Sequence, residues 1–153
     1  MTELVPIKDI DELLNWRKEV IENVFGVSPD KNLMARNKAY YRHHLHNKTH
    51  IPFLAIYNGI KAGCGSICIT EELPSPDNPS GRCAYLMNIY VRQQFREHGI
   101  GHSIVRKLVA EAGERGCNKI YLETTPEGRP VYESLGFKDL PDMMKLTNPP
   151  KGM

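Results

Sequence analysis

The stretch Arg96-Glu97-His98-Gly99-Ile100-Gly101-His102 places two glycines one residue apart, behind an arginine and ahead of a helical pattern. These residue types suit an anion. The first turn of a helix presents N–H groups without intrahelical partners and about half a positive charge. Gly99 can take a backbone conformation closed to other residues, and Gly101 lets main chain approach a ligand with no Cβ in the way. Arg96 adds a fixed charge with bidentate reach. Locally, three readings stay open: a dinucleotide-binding turn, a nucleoside-triphosphate loop, and an ordinary strand-to-helix turn. The first wants a third glycine where Ile104 stands, and the second wants a Gly-Lys-Ser/Thr that is absent.

Other residues could bear chemistry. His43 and His46 are three apart and could share a metal on a helix face, but no third ligand is visible in the sequence. Cys64, Cys68, Cys83 and Cys117 form no C-x-x-C pair. On a strand, Cys64 and Cys68 would stand about 13 Å apart, too far to bond or to share a metal. All four read as small buried hydrophobes, free thiols of a reducing compartment.

The elements that must position these residues follow from periodicity. Ile10, Leu13, Leu14, Val20, Ile21, Val24 and Phe25 mark an amphipathic helix, with Asp9 and Glu12 as a capping pair. A second helix starts at Ser28 and Pro29 and carries Leu33, Met34, Tyr40, Tyr41, His44 and Leu45. "FLAIY" and "IKAGCGSICIT" are strands joined by Asn58-Gly59, a strong hairpin signal. "EELPSPDNPSG", with three prolines in eleven residues, is a loop. "RCAYLMNIYV" is a strand apolar enough for burial on both faces. Ile100, Ile104, Leu108, Val109 and Ala112 mark a helix stopped by Gly116. "KIYLET" is a strand, "GRPVYESLG" a short helix, and "MMKL" a last strand before a frayed "TNPPKGM". The order is ααββ, then βαβαβ.

At 153 residues, 41% hydrophobic and 25% charged, the chain has the size and balance of one globular domain. A net charge of +2 disfavours a nucleic-acid binder that relies on phosphate neutralisation. The opening "MTELVPIKDIDELL" does not resemble a signal peptide, and no apolar run reaches the roughly 20 residues that span a bilayer. The expected location is cytoplasmic, with no membrane partner.

Arg96 to Gly101 resembles the R/Q-x-x-G-x-G/A signature of the GNAT superfamily of N-acyltransferases. A second block, "TPEGRPVYESLGF", is similar to the Gly-Arg-Pro…Tyr-Glu…Leu-Gly-Phe segment common in those enzymes. The similarity runs from about Phe53 to Leu146, and the two blocks stand at the family's spacing. The resemblance implies an α/β (α+β) GNAT acyl-CoA N-acyltransferase fold. That fold is a mixed, mostly antiparallel sheet with one splayed parallel strand pair and helices on both faces. It implies a single domain over 1–153, with residues 1–50 on the acceptor side and 53–146 as the acetyl-CoA-binding core. The implied activity is direct transfer, in a ternary complex, of an acetyl group from acetyl-CoA to a small-molecule amine, without a metal.

The resemblance also implies site residues. Ile89, Tyr90 and Val91 would pair by main chain with the pantetheine arm, an amide of Ile89 or Tyr90 polarising the thioester carbonyl. The amides from Arg96 through Glu97, His98, Gly99, Ile100 and Gly101 to His102 would take the pyrophosphate. Thr125 stands where an Asn often contacts the cofactor arm, and Glu97 puts an acidic group where small or basic residues are common. Tyr132 would protonate the departing thiolate, which a phenol of pKa about 10 can do at neutral pH. For the base, Glu71, Glu72 and Tyr85 are the candidates, Glu72 being preferred. Helix "YYRHHLH" could contact the acceptor, and "PSPDNPSG" could form a lid. Other classes compatible with the sequence are a non-catalytic acyl-CoA sensor and an acetyltransferase acting on protein or aminoacyl-tRNA amines. Homodimers are common in this family, but nothing in the sequence selects an interface.

Overall fold

Leu13, Trp16 and Val20 fall three and four residues apart, and they form the buried stripe of the first helix, α1 (Ile10–Val20). The architecture comes from a computed structural model that describes residues 1–148. The Asp9 carboxylate caps α1 by accepting from the amides of Asp11 and Glu12. The helix then loosens into a π-helical turn, Ile21–Phe25, closed by Gly26 in the left-handed region.

The second helix, α2 (Lys31–His46), starts two residues later than its expected Ser28-Pro29 signal. Asp30 is the cap, its carboxylate accepting from the Leu33 amide at 2.7 Å. Pro29 thus lies just before the cap rather than inside the first turn.

Five strands make one sheet in the order β1-β2-β3-β4-β5. They are β1 (Thr2–Pro6), β2 (His50–Tyr57), β3 (Ile60–Glu71), β4 (Arg82–Val91) and β5 (Lys119–Leu122). All neighbours are antiparallel except β4 and β5. Asn58 and Gly59 turn the β2–β3 hairpin with φ of 48° and 81°, the primed turn their sequence encodes. Helix α3 (Ile100–Glu114) makes the crossover from β4 to β5, and α4 (Arg129–Ser134) follows β5.

Period-two alternation divides the core between the two sheet faces. Phe53, Ile67 and Leu86 face α3, where Ile104, Val105 and Leu108 are fully buried. Leu54, Cys64 and Tyr90 face Leu13, Trp16 and Val20 of α1 and Tyr41 of α2. Each large side chain fully buried this way contributes about 1.5–3 kcal/mol of transfer free energy. Arg92, just past β4, clamps α1: its Nε and Nη2 donate to Glu19 at 2.8 and 2.9 Å, and its guanidinium lies over Trp16. The Arg92 hydrogen bond holds the Glu19 carboxyl below the usual range, against the opposing effect of burial.

Two elements depart from the sequence reading. Thr2–Pro6 forms β1, an edge strand too short and too mixed in polarity to show an alternating pattern. "MMKL" forms no strand: Met144 is 96% and Leu146 69% exposed, with no strand partner among the described residues. Of the expected frayed tail, residues 149–153 lie outside those described. Among the described residues, no helix is long and apolar enough to cross a membrane.

Candidate active site

Strand β4 builds the site by losing its partners partway along. It pairs with β5 only from Cys83 to Leu86, opposite Lys119 to Leu122. From Met87 to Val91 it runs on without β5, so one row of its backbone groups faces an opening instead of a strand.

On its other edge the register with β3 slips between Cys64 and Ser66. Asn88 sits at this irregularity with φ of 57°, the left-handed region that asparagine tolerates better than most residues. Gly63 allows the close approach of the two strands, since a Cβ there would lie 2.3 Å from the Tyr90 carbonyl oxygen. An irregularity of this kind bends a strand locally, and the β4–β5 pairing ends at Leu86, just before it.

The opening is a cavity of about 710 Å³. Its lining includes Arg17 and Val20 of α1, Asn37, Tyr40 and Tyr41 of α2, His50 of β2, and Tyr85 to Val91 of β4. Arg96, Glu123, Thr124, Thr125, Gly128 and Tyr132 complete the lining. Seven residues expected at the site therefore line one space: Tyr85, one of the three candidate bases, with Ile89, Tyr90, Val91, Arg96, Thr125 and Tyr132. Glu97 to His102 continue from Arg96 and are not part of that lining.

Those following residues form the start of α3. Gly99 is its N-cap at φ 73°, and no side chain caps the helix. The first bond of the ladder runs from the Ser103 amide to the Gly99 carbonyl at 3.1 Å. The amides of Ile100, Gly101 and His102 precede it, which is the arrangement that takes an anion. Nothing crowds Gly101: a Cβ there would come no nearer than 4.0 Å to Val91. Arg96 Nε donates to the Val91 carbonyl at 3.1 Å and ties this turn to the end of β4. Glu97 is exposed, with a left-handed φ of 67°, and the His98 ring stacks on Tyr57.

Tyr132 is half-buried on α4 with its ring edge-on to Phe137. Burial pushes its phenol pKa up, so it stays protonated at neutral pH. Among the described residues its hydroxyl has no hydrogen-bond partner, which leaves it free to donate into the cavity it lines.

Glu72 is held elsewhere. One carboxylate oxygen accepts from Asn78 Nδ2 at 3.0 Å and the other from Lys119 Nζ at 3.3 Å, outside the cavity lining. These bonds, Asn78 first, lower its pKa. The buried Asn78 staples the proline-rich loop in place, the Glu72 amide donating to the Gly81 carbonyl. Glu71 is exposed and also outside the lining.

The carboxylate that does line the cavity is Glu123, which accepts from the Tyr85 hydroxyl at 2.9 Å. Burial and then this bond push the Tyr85 phenol up to about 12. In the same lining, Tyr40 Oη lies 2.9 Å from His50 Nδ1. His50 is 4% exposed, and burial, with nearby His44 and Arg17, pushes it down to about 4. Burial likewise raises Tyr40, so this pair is neutral at physiological pH.

Arg17, Asn37, Asn88, His50 and Glu123 were not singled out from sequence. Only Asn88 carried a usable signal, an asparagine inside an otherwise apolar strand. Among the described residues, no three His, Cys, Asp or Glu side chains are grouped to hold a metal. Cys64, Cys68, Cys83 and Cys117 are free and buried, and burial pushes the Cys64 thiol up to about 12.

Residues 10–137 match the model of the Acetyltransferase (GNAT) family. The chain is similar to a thialysine N-epsilon-acetyltransferase of Bos taurus, 34% identical over 93 residues, covering 47% of this chain and 55% of that protein. It is also similar to a probable glucosamine 6-phosphate N-acetyltransferase 2 of Oryza sativa subsp. japonica. That likeness is 39% identity over 57 residues, covering 37% of this chain and 34% of that protein. The matches thus span about half or less of the length of these curated relatives. Among solved structures, a predicted acetyltransferase of Clostridium acetobutylicum with acetyl-CoA superimposes at a TM-score of 0.85. It is 28% identical, and the match covers 96% of each chain.

Proposed function

The chain belongs to the Acetyltransferase (GNAT) family, and from that premise we propose that it transfers an acetyl group from acetyl-CoA to an amine in one ternary complex. One observation carries the reading: a single cavity gathers the unpartnered end of β4, the Arg96 that leads into an uncapped helix start, and the half-buried Tyr132. The residues fit the cosubstrate. Main chain from Ile89 to Val91 would pair with the pantetheine arm, and the amides from Arg96 to His102 would hold the diphosphate. Thr125 and Gly128 would flank the arm from the β5 side. A volume of about 710 Å³ suits the arm and a small acceptor together.

In this reading the neutral amine attacks the thioester carbonyl carbon. A backbone amide at Ile89 or Tyr90 stabilises the oxyanion, a contribution of a few kcal/mol to the barrier. The C–S bond breaks as the carbonyl re-forms, and Tyr132 gives its proton to the thiolate sulfur. The proton lost by the amine goes to Glu123, the carboxylate at the cavity wall. Glu72 is engaged by Asn78 and Lys119, so the base role passes from it to Glu123. Residues 1–50 act on the acceptor side of one catalytic unit, and the free buried cysteines suit a reducing, cytoplasmic setting.

The test is an assay of free CoA release with acetyl-CoA and a broad amine panel, run beside Tyr132→Phe. Turnover with at least one amine, and its loss in the variant with acetyl-CoA binding retained, is expected. Tyr132→Phe turning over at the native rate would overturn the proton-donor role.

A further inference from the structure

The α1 and α2 wall of the cavity holds a feature that acetyl transfer does not itself require. Arg17 lines it from α1, half-buried. Its Nε donates to Asn37 Oδ1 of α2 at 3.1 Å, and its Nη1 donates to Asn88 Oδ1 of β4 at 2.8 Å. Both partners are neutral amides, so they orient the guanidinium without cancelling its charge. Arg92 and Arg129, by contrast, have carboxylate partners. Among the described residues Arg17 makes no ion pair. Two of the five N–H donors of a guanidinium are used, and those on Nη2 have no partner among the described residues.

The backbone is shaped to maintain this arrangement. Asn88 reaches Arg17 from the irregular point of β4, in a left-handed conformation that costs a non-glycine residue free energy. Its carbonyl oxygen is engaged separately, by the Cys64 thiol. On the other side the guanidinium lies 5.6 Å from the Phe25 ring centre, beside Val20 and Val24.

We infer that Arg17 binds a carboxylate of the acceptor, and that the acceptor is an amine of amino-acid type. This rests on the proposed N-acetyl transfer and names its substrate class. The remaining guanidinium donors suit a two-oxygen anion. One positive charge balances one carboxylate, whereas a phosphate monoester carries about −1.5 to −2. The other cation of the lining, Arg96, is turned onto the Val91 carbonyl. Glu123 is the carboxylate of the same lining, so a zwitterionic acceptor would meet opposite charges at two places in it. Asn37 and Asn88 are positioning residues.

The experiment measures kcat/KM of the whole chain for matched amines with and without a carboxylate: lysine against cadaverine, and phenylalanine against phenethylamine. Phosphoethanolamine against ethanolamine is the third pair. The carboxylated member should be preferred by about 10- to 100-fold in at least one of the first two pairs, the span of a charged hydrogen-bonded contact. Arg17→Gln should collapse that preference to within threefold while calorimetry still detects acetyl-CoA. Arg17→Lys should recover part of it. Should Arg17→Gln fail to fold, Asn37→Ala carries the test, raising KM for the carboxylated amine with kcat retained. Indifference within the first two pairs, a preference that survives loss of Arg17, or a phosphate-bearing amine favoured over the carboxylated ones would overturn the inference. No turnover of any carboxylated amine would also overturn it. Each of those results leaves acetyl-CoA binding intact, whereas absent acetyl-CoA binding would remove the proposed function itself.

Discussion

The two ends of the cavity are built by different means. At the end proposed for acetyl-CoA the groups on offer are main chain: the open stretch of β4 from Met87 to Val91 and the uncapped start of α3. At the end proposed for the acceptor they are side chains drawn from separate elements, Arg17 from α1, Asn37 and Tyr40 from α2, His50 from β2 and Asn88 from β4. A backbone site tolerates many side chains, provided glycines and strand pairing preserve its shape. A side-chain site can be rewritten one residue at a time. One molecule can thus keep a fixed donor while its acceptor varies.

This contrast breaks most visibly at Tyr132, where donor and acceptor chemistry meet. Tyr132→Phe should lower kcat by ~10²–10⁴-fold for every acceptor, with the acetyl-CoA Kd unchanged by calorimetry. An acceptor-dependent loss would move Tyr132 to the acceptor side of the comparison. Glu123→Gln should lower kcat about 10²-fold. Glu72→Gln should change kcat less than threefold, because its carboxylate is engaged outside the cavity. The reverse ranking would return the base role to Glu72.

Stability separates the two ends by pH. His50 is buried and neutral, its pKa pushed down to about 4 from an unfolded value near 6.5. Between those values the unfolded chain binds the proton and the folded chain does not. Stability from this group is therefore complete above pH 6.5 and is lost as pH falls toward 4, by up to about 3 kcal/mol. Thermal melts should show the native Tm dropping through this window and His50→Gln flattening the slope. Equal slopes would exclude His50 as the source.

The smallest effect lies at the cofactor end. Glu97 holds a left-handed φ of 67°, which costs a residue with a Cβ about 1–2 kcal/mol. Glu97→Gly relieves that strain, but it also frees the unfolded chain by about 0.4–1 kcal/mol. The net gain should fall between zero and about 1.6 kcal/mol, with Tm rising by no more than about 6 °C. Acetyl-CoA should bind about two- to fivefold tighter once the acidic group is gone from the diphosphate turn. Weaker binding would show that Glu97 contacts the cosubstrate favourably.

The same contrast explains what the sequence could be read to say. Gly99, the hairpin at Asn58-Gly59 and the stripe on α3 are local signals, and each has the conformation that its residues favour. Arg17 and Asn88 are 71 positions apart in the chain and meet only because α1 lies against β4. No spacing encodes that meeting. Glu72 and Glu123 look equivalent as strand-end carboxylates until the fold gives one a lysine and the other the cavity. The second helix was legible as an element, but its cap shifted from Ser28 to Asp30, because two adjacent stretches offered good capping groups. "MMKL" had strand-like composition, but composition cannot supply a pairing partner.

Calorimetric titration with acetyl-CoA beside S-acetylpantetheine, which has the arm and thioester but no diphosphate, tests the central claim most directly. The backbone cradle at the start of α3 predicts one saturable acetyl-CoA site per chain, and binding at least tenfold weaker when the diphosphate is missing. Equal affinity for the two ligands, or no heat from acetyl-CoA at millimolar concentration, would contradict it.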